Sequence, residues 1–68
     1  MTAPMKWTDS RDIAIALLEK FPDQDPKTLN FVDLRDRVLA LPGFGDDAKR
    51  CGEKILEAIQ MAWIDEAD

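Results

Sequence analysis

The fold of this chain is decided by residues 53–66, which read EKILEAIQMAWIDE. Apolar side chains recur in this stretch with the three- and four-residue spacing that marks one face of an α-helix. The pattern predicts a helix from Glu53 to about Glu66. Its start is left open, because Asp46 and Asp47 could cap an earlier start whereas Gly52 weakens the intervening turn. The residues that face inward are Ile55, Leu56, Ile59, Ala62 and Trp63.

A first helix is predicted from about Asp9 to Phe21. Asp9 is placed to cap it, and Asp12 three residues later completes a pair that is similar to a capping box. Pro22 ends the helix, since proline cannot continue one. The apolar stripe of this helix consists of Ile13, Ala14, Leu17, Leu18 and Phe21.

Two further helix starts are predicted between these two helices. Asp25-Pro26 begins a short turn of helix that extends no further than Leu29, because proline suits the first helical position after an aspartate cap. Asn30, with Asp33 three residues later, caps another helix that ends at Pro42-Gly43. The shared face of that helix is made by Phe31, Leu34, Val38 and Leu41.

The fold class expected from these elements is mainly α, a small single-domain helical bundle. No segment shows the two-residue alternation of a strand. With 68 residues the chain is one domain, in which residues 1–5 form a short disordered leader and residues 6–68 the helical domain. Because so small a core needs every large side chain, Trp7 and Trp63 are expected to be buried. Exposure as partner-binding hot spots is the alternative.

The composition excludes several classes of function. Fourteen acidic residues against nine basic ones give a net charge of −5, which repels nucleic acids and favours basic protein surfaces and hard cations. The chain has no histidine and no glycine-rich phosphate loop, so no enzyme is expected. Cys51 is the single cysteine, which rules out an internal disulfide. Without a signal peptide or a run of about 20 apolar residues, the chain is expected to be a cytoplasmic protein. It is also expected to be a monomer.

Two groups of carboxylates are candidate binding residues. Asp9, Asp12, Asp23 and Asp25 offer the oxygen ligands that iron or magnesium prefers, although capping and solvation alone would also explain them. Asp65 and Glu66 are expected at a helix C-terminus, where the macrodipole disfavours anions. With Glu57 they are the candidate partner-binding residues, and a frayed, solubilising end is the alternative.

Several segments together resemble the IscX family of iron–sulfur cluster assembly proteins. They are Lys6 to Arg11, Pro22 to Thr28, Phe44 to Asp47, Glu53 to Ile59, and Trp63 to Ala67. The similarity runs from about Lys6 to Asp68, nearly the whole chain.

The resemblance implies a modified winged-helix arrangement dominated by helices. It also implies a non-enzymatic adaptor and regulator that binds cysteine desulfurase at a basic surface also used by bacterial frataxin. Ferrous iron would bind weakly through exposed carboxylates, with no tightly bound cofactor.

The chain departs from the family pattern at two places. Cys51-Gly52 stands where the family commonly has serine and asparagine before the glutamate. Arg35 and Arg37 stand where family members often carry a histidine and a tryptophan. The alternative function, a winged-helix nucleic-acid-binding module, would have to use these two arginines, which Asp33 and Asp36 flank.

Overall fold

The computed structural model describes residues 4–67, which contain three α-helices. These are α1 (Ser10–Lys20), α2 (Phe31–Leu39) and α3 (Glu53–Ala67). Single turns of 3-10 helix, Pro26–Thr28 and Ala48–Arg50, precede α2 and α3. No strand occurs among residues 4–67, where the β-type pairing is one isolated parallel bridge between Met5 and Phe44. The prediction of a small, mainly α domain is confirmed.

Two of the predicted caps are confirmed by hydrogen bonds. The Asn30 side chain accepts the backbone N–H of Asp33 at 2.9 Å and so begins α2. The Asp25 side chain accepts the N–H of Lys27 at 3.0 Å, with Pro26 in the first position of its turn. Both side chains satisfy N–H groups that have no partner within the helix.

The predicted capping box of α1 is wrong. Asp9 occupies the N-cap position, but its side chain makes no capping bond. Asp9 Oδ2 instead accepts the N–H of Lys6 at 2.9 Å, and the N–H of Asp9 donates to the Lys6 carbonyl at 2.9 Å. This reciprocal pair closes a tight turn before α1 and takes the carboxylate away from the helix. Asp12 remains exposed in the first turn.

The start of α3 lies at Glu53, and an earlier start at Asp46 or Asp47 is excluded. Asp47 caps the separate turn Ala48–Arg50, where its side chain accepts the N–H of Lys49 at 3.0 Å. The chain is extended at the next residue, so this turn does not continue into α3. The Gly52 carbonyl accepts the first bond of α3, from the N–H of Leu56 at 3.0 Å.

The core is one cluster to which all three helices contribute. Trp7 is 2% exposed and Trp63 0%, which confirms their predicted burial. Ile55 and Ala62, predicted to face inward, lie half-buried at the edge of the core. The most extensive helix contact joins α1 to α3. The buried helical residues are Ile13, Ala14 and Leu17 of α1, Leu34 and Val38 of α2, and Leu56, Ile59 and Trp63 of α3.

The segment before α1 is bound to the loop before α3. Met5 donates to the Gly43 carbonyl at 2.8 Å, and Gly45 donates to the Met5 carbonyl at 2.9 Å. The approach is close, since a Cβ on Gly45 would lie 2.6 Å from the Cβ of Pro4. Of the predicted leader, residues 1–3 lie outside the described residues. Met5 belongs to the folded part, because its N–H and its carbonyl are both hydrogen-bonded in this bridge.

Trp7 anchors the same connection from inside the core. Its indole Nε1 donates to the Asp47 carbonyl at 2.7 Å, so the buried ring keeps its polar atom satisfied. Its ring also packs edge-on against Phe44, with centroids 4.6 Å apart. The polar and aromatic contacts together fix the loop that leads into α3.

Candidate partner-binding surface

The outer face of α3 carries two of the three predicted partner-binding residues. Glu57 and Asp65 are both exposed, and two helical turns separate them. With a rise of about 1.5 Å per residue, their Cα atoms are about 12 Å apart along the helix. We define the α3 outer face by Lys54, Glu57, Ala58, Met61 and Asp65.

Glu66, the third predicted residue, lies on a different side of α3. Its Oε1 is 3.3 Å from Nε of Arg11 on α1, and the Glu66 side chain is only 28% exposed. Successive helical residues point about 100° apart, so Glu66 turns toward α1 while Asp65 stays outward. Glu66, whose negative charge is unfavourable at a helix C-terminus, is therefore paired with the positive charge of Arg11.

Met61 is a feature of this face that the sequence reasoning missed. Its side chain is 63% exposed, and it stands one helical turn from Glu57 and one from Asp65. A shallow depression of about 370 Å³ beside it is lined by Lys54, Glu57, Ala58 and Met61. Met61 lies two residues from Ile59 and Trp63, hence about 200° around the helix from the core face. This position opposite the core face could have been read from the sequence, and it predicts that Met61 is exposed.

The four predicted metal-ligating residues are not brought to one site. Asp23 and Asp25 line a cleft of about 220 Å³ against Ile64 and Ala67, at the end of α3. Asp9 and Asp12 belong to the start of α1. Within residues 4–67, no group of three or more His, Cys, Asp or Glu side chains is arranged to hold a metal ion.

Two of those four carboxylates are already engaged with the backbone. Asp9 Oδ2 accepts from Lys6, and Asp25 Oδ1 accepts from Lys27. Each group keeps a second oxygen, so an ion could still be contacted at the surface. Any metal binding here would use few protein ligands and retain bound water.

Asp46 has a structural role that the sequence did not predict. Its Oδ2 accepts the backbone N–H of Trp7 at 3.1 Å, and its Oδ1 accepts the N–H of Asp47 at 2.7 Å. These bonds, the one from Trp7 first, hold the pKa of the Asp46 carboxyl below its ordinary value of 3.8. Asp46 therefore fastens the segment before α1 to the loop before α3.

The remaining special side chains offer little reactivity. Cys51 is half-buried, and burial raises the pKa of its thiol, which disfavours the nucleophilic thiolate. The Arg37 guanidinium lies over the Phe21 ring, 5.4 Å from its centroid, and donates to Gln24 Oε1 at 3.3 Å. Arg37 is thus held within the domain, while Arg35 is exposed between the exposed Asp33 and Asp36.

The fold and this surface together define a small, acidic, mainly α domain with a partly apolar outer helix face. The sequence matches the family described as "Iron-sulphur cluster assembly" over residues 5–68. The chain therefore belongs to this iron–sulfur cluster assembly family, the IscX family. The match begins at Met5, which the structure includes in the folded part.

A relative from Pseudomonas aeruginosa, an uncharacterized protein, is 59% identical over 64 residues. The alignment covers 94% of this chain and 97% of that protein. The family assigns the chain a role in iron–sulfur cluster assembly. None of the helices described in residues 4–67 has the length and apolar character needed to cross a membrane.

Proposed function

We propose that this protein is a non-catalytic adaptor that binds cysteine desulfurase and regulates iron–sulfur cluster assembly. The observation that carries the proposal is the α3 outer face, where Glu57 and Asp65 are exposed two turns apart on a chain of net charge −5. The membership of the family supports a place in the assembly process. The contact is proposed between this face and a basic surface of the desulfurase.

Charge complementarity gives such a contact a defined behaviour. Opposite potentials speed the encounter of two proteins and select the partner, and salt screens them. The Debye length falls from about 30 Å at 0.01 M ionic strength to about 3 Å at 1 M. The association is therefore expected to weaken steeply across that range.

Weak binding of ferrous iron is a second part of the proposal. Asp12 and Asp23 are exposed, and Asp9 and Asp25 each retain one carboxylate oxygen outside their bonds to the backbone. Oxygen ligands suit hard cations. Because these groups stand at separate places, we expect several weak sites and no tightly bound cofactor.

The nucleic-acid-binding alternative is disfavoured by the position of Arg37. A recognition helix must bring its basic side chains to phosphate and base edges. Arg37 is half-buried against Phe21 and Gln24, and the exposed Arg35 stands between two carboxylates. The net charge of −5 repels the phosphate backbone.

Parallel binding to immobilised cysteine desulfurase and to duplex DNA tests the proposal. We expect retention on the desulfurase at about 0.01 M ionic strength and release toward 1 M, with no retention on DNA at either salt. Retention on DNA alone would support the alternative. A failure to bind the desulfurase at low salt would overturn the proposed function.

A further inference from the structure

We propose that Met61 and Ala58 form the apolar floor of the docking surface on α3. The partner would lay the aliphatic stem of a lysine or arginine side chain across this floor and place its charged group at Glu57. The inference rests on the proposed function and adds to it an uncharged contact and a preferred kind of partner side chain.

The exposure of Met61 is the first support. The side chain is 63% exposed at the middle of α3, one turn from a carboxylate in each direction along the chain. A partner that covers this side chain would remove its apolar surface from water, which favours binding. Methionine is unbranched and flexible, and it adapts to the shape of a binding partner.

The depression beside Met61 is the second support. Ala58 lies three residues before Met61 and therefore next to it on the helix surface, where its short side chain leaves space. The resulting hollow, about 370 Å³, is bounded by Glu57 and Lys54. Its apolar floor offers a contact for a stem of methylene groups, which lysine and arginine bury while keeping the charge in water.

The charges around the hollow determine how a lysine or arginine side chain of the partner would be oriented in it. Lys54 at one edge repels a cationic head group, whereas Glu57 attracts it and can accept a charge-assisted hydrogen bond. Asp65, one turn beyond Met61, extends the attraction along the same face. The α3 outer face therefore fits a basic amphipathic side chain better than a purely acidic or purely apolar one.

The affinity of Met61→Gln for cysteine desulfurase tests the inference, because this change keeps the length and the helix propensity of the side chain but removes its apolar character. We expect a loss of affinity of about tenfold, as for a modest hot spot. The slope of affinity against salt should stay that of the parent protein, since no charge changes. The loss should appear mainly in the dissociation rate.

Val32→Gln is the matched control, because Val32 is similarly exposed, 66%, but lies on α2. It should bind like the parent, and both variants should melt like the parent. If the parent protein binds and Met61→Gln binds equally well, this inference is overturned while the proposed function stands. A parent protein that does not bind at all would overturn both.

Discussion

Nε of Arg11 lies 3.3 Å from Oε1 of Glu66, and this ion pair joins the first turn of α1 to the last turn of α3. Each residue stands at the helix end where its own charge is unfavourable, a cation near an N-terminus and an anion near a C-terminus. The pair compensates both. Because Glu66 is paired with Arg11, the outward-pointing Glu57 and Asp65 are the better residues of α3 for testing partner binding.

The Arg11–Glu66 pair is expected to contribute little to stability. The Arg11 side chain is 82% exposed, so solvent screens the attraction and Glu66→Gln should lower the free energy of unfolding by less than about 1 kcal/mol. Urea unfolding of the variant beside Arg11→Gln would measure this. If either change lowered the free energy by several kcal/mol, the pair would have to be part of a buried network, contrary to its exposure.

Trp63 is expected to contribute a large share of the stability of the fold. Truncation of a fully buried aromatic side chain costs about 3–5 kcal/mol, and a 68-residue domain has a net stability of only about 3–10 kcal/mol. Trp63→Ala should therefore lose a large share of that stability and melt at a much lower temperature than the parent, as far-UV circular dichroism on heating would show.

Trp63→Phe is the matched control for that change. It keeps most of the buried area and removes an indole N–H that finds no acceptor among the described residues. It should stay folded, with a smaller loss of stability. A Trp63→Ala protein that melts like the parent would contradict the burial of this side chain.

Asp46 is expected to make stability depend on pH below about 4. Its pKa is lower in the folded protein than its ordinary value of 3.8, because the ionised carboxylate accepts the N–H groups of Trp7 and Asp47. A lowered folded-state pKa stabilises the protein above the unfolded pKa, and this contribution is lost as the pH falls through the folded pKa.

Asp46→Asn should accordingly be less stable than the parent at neutral pH, with the difference shrinking as the pH falls below 3.8 and through the lowered pKa of the folded state. Urea unfolding at several pH values would measure it. Asp65→Asn, which removes a carboxylate from the α3 outer face, is the control and should not lower the stability at neutral pH, because an anion is disfavoured at that helix end. A parent–variant difference that is constant with pH would show that Asp46 stabilises the loop independently of its ionisation.

Ferrous iron is expected to perturb several separate surface positions. An anaerobic titration followed by amide NMR should shift or broaden signals at Asp9, Asp12, Asp23 and Asp25 first, with weak affinity at each. Asp23→Asn should weaken the response in the cleft beside the end of α3 without changing the response at Asp12. Broadening confined to the surroundings of Cys51 would contradict the assignment to carboxylates.

Local signals in the sequence were sufficient for most of the fold. The caps at Asn30 and Asp25 and the apolar face of α3 each depend on residues within one or two turns, which a sequence displays directly. Asp9 and Asp46 could not be assigned in this way. Asp9 accepts from the turn before α1, and Asp46 accepts from Trp7, 39 residues away along the chain. The bond from Lys6 is a local competitor of capping, between which the sequence does not choose, whereas the bond from Trp7 depends on the tertiary structure.

The candidate surface was predictable in part for the same reason. The exposure of Glu57 and Asp65 follows from their position opposite the apolar face of one helix. The pairing of Glu66 depends on where α1 packs, which periodicity does not give. Met61 could have been found from its position on the helix, but a single apolar residue between charges is rarely informative without its measured exposure.

Contact between the α3 outer face and cysteine desulfurase is tested by a variant with both Glu57→Lys and Asp65→Lys, whose affinity for the desulfurase is measured across a salt series. Both changes lie on the α3 outer face, so the fold should be kept. At about 0.01 M ionic strength the variant should associate more slowly and bind more weakly than the parent, and its affinity should depend less on salt. Asp33→Lys with Asp36→Lys on α2 makes the same change in net charge and should bind better than the α3 variant. Equal binding of the α3 variant and the parent at low salt would show that the α3 outer face is not the contact with the desulfurase.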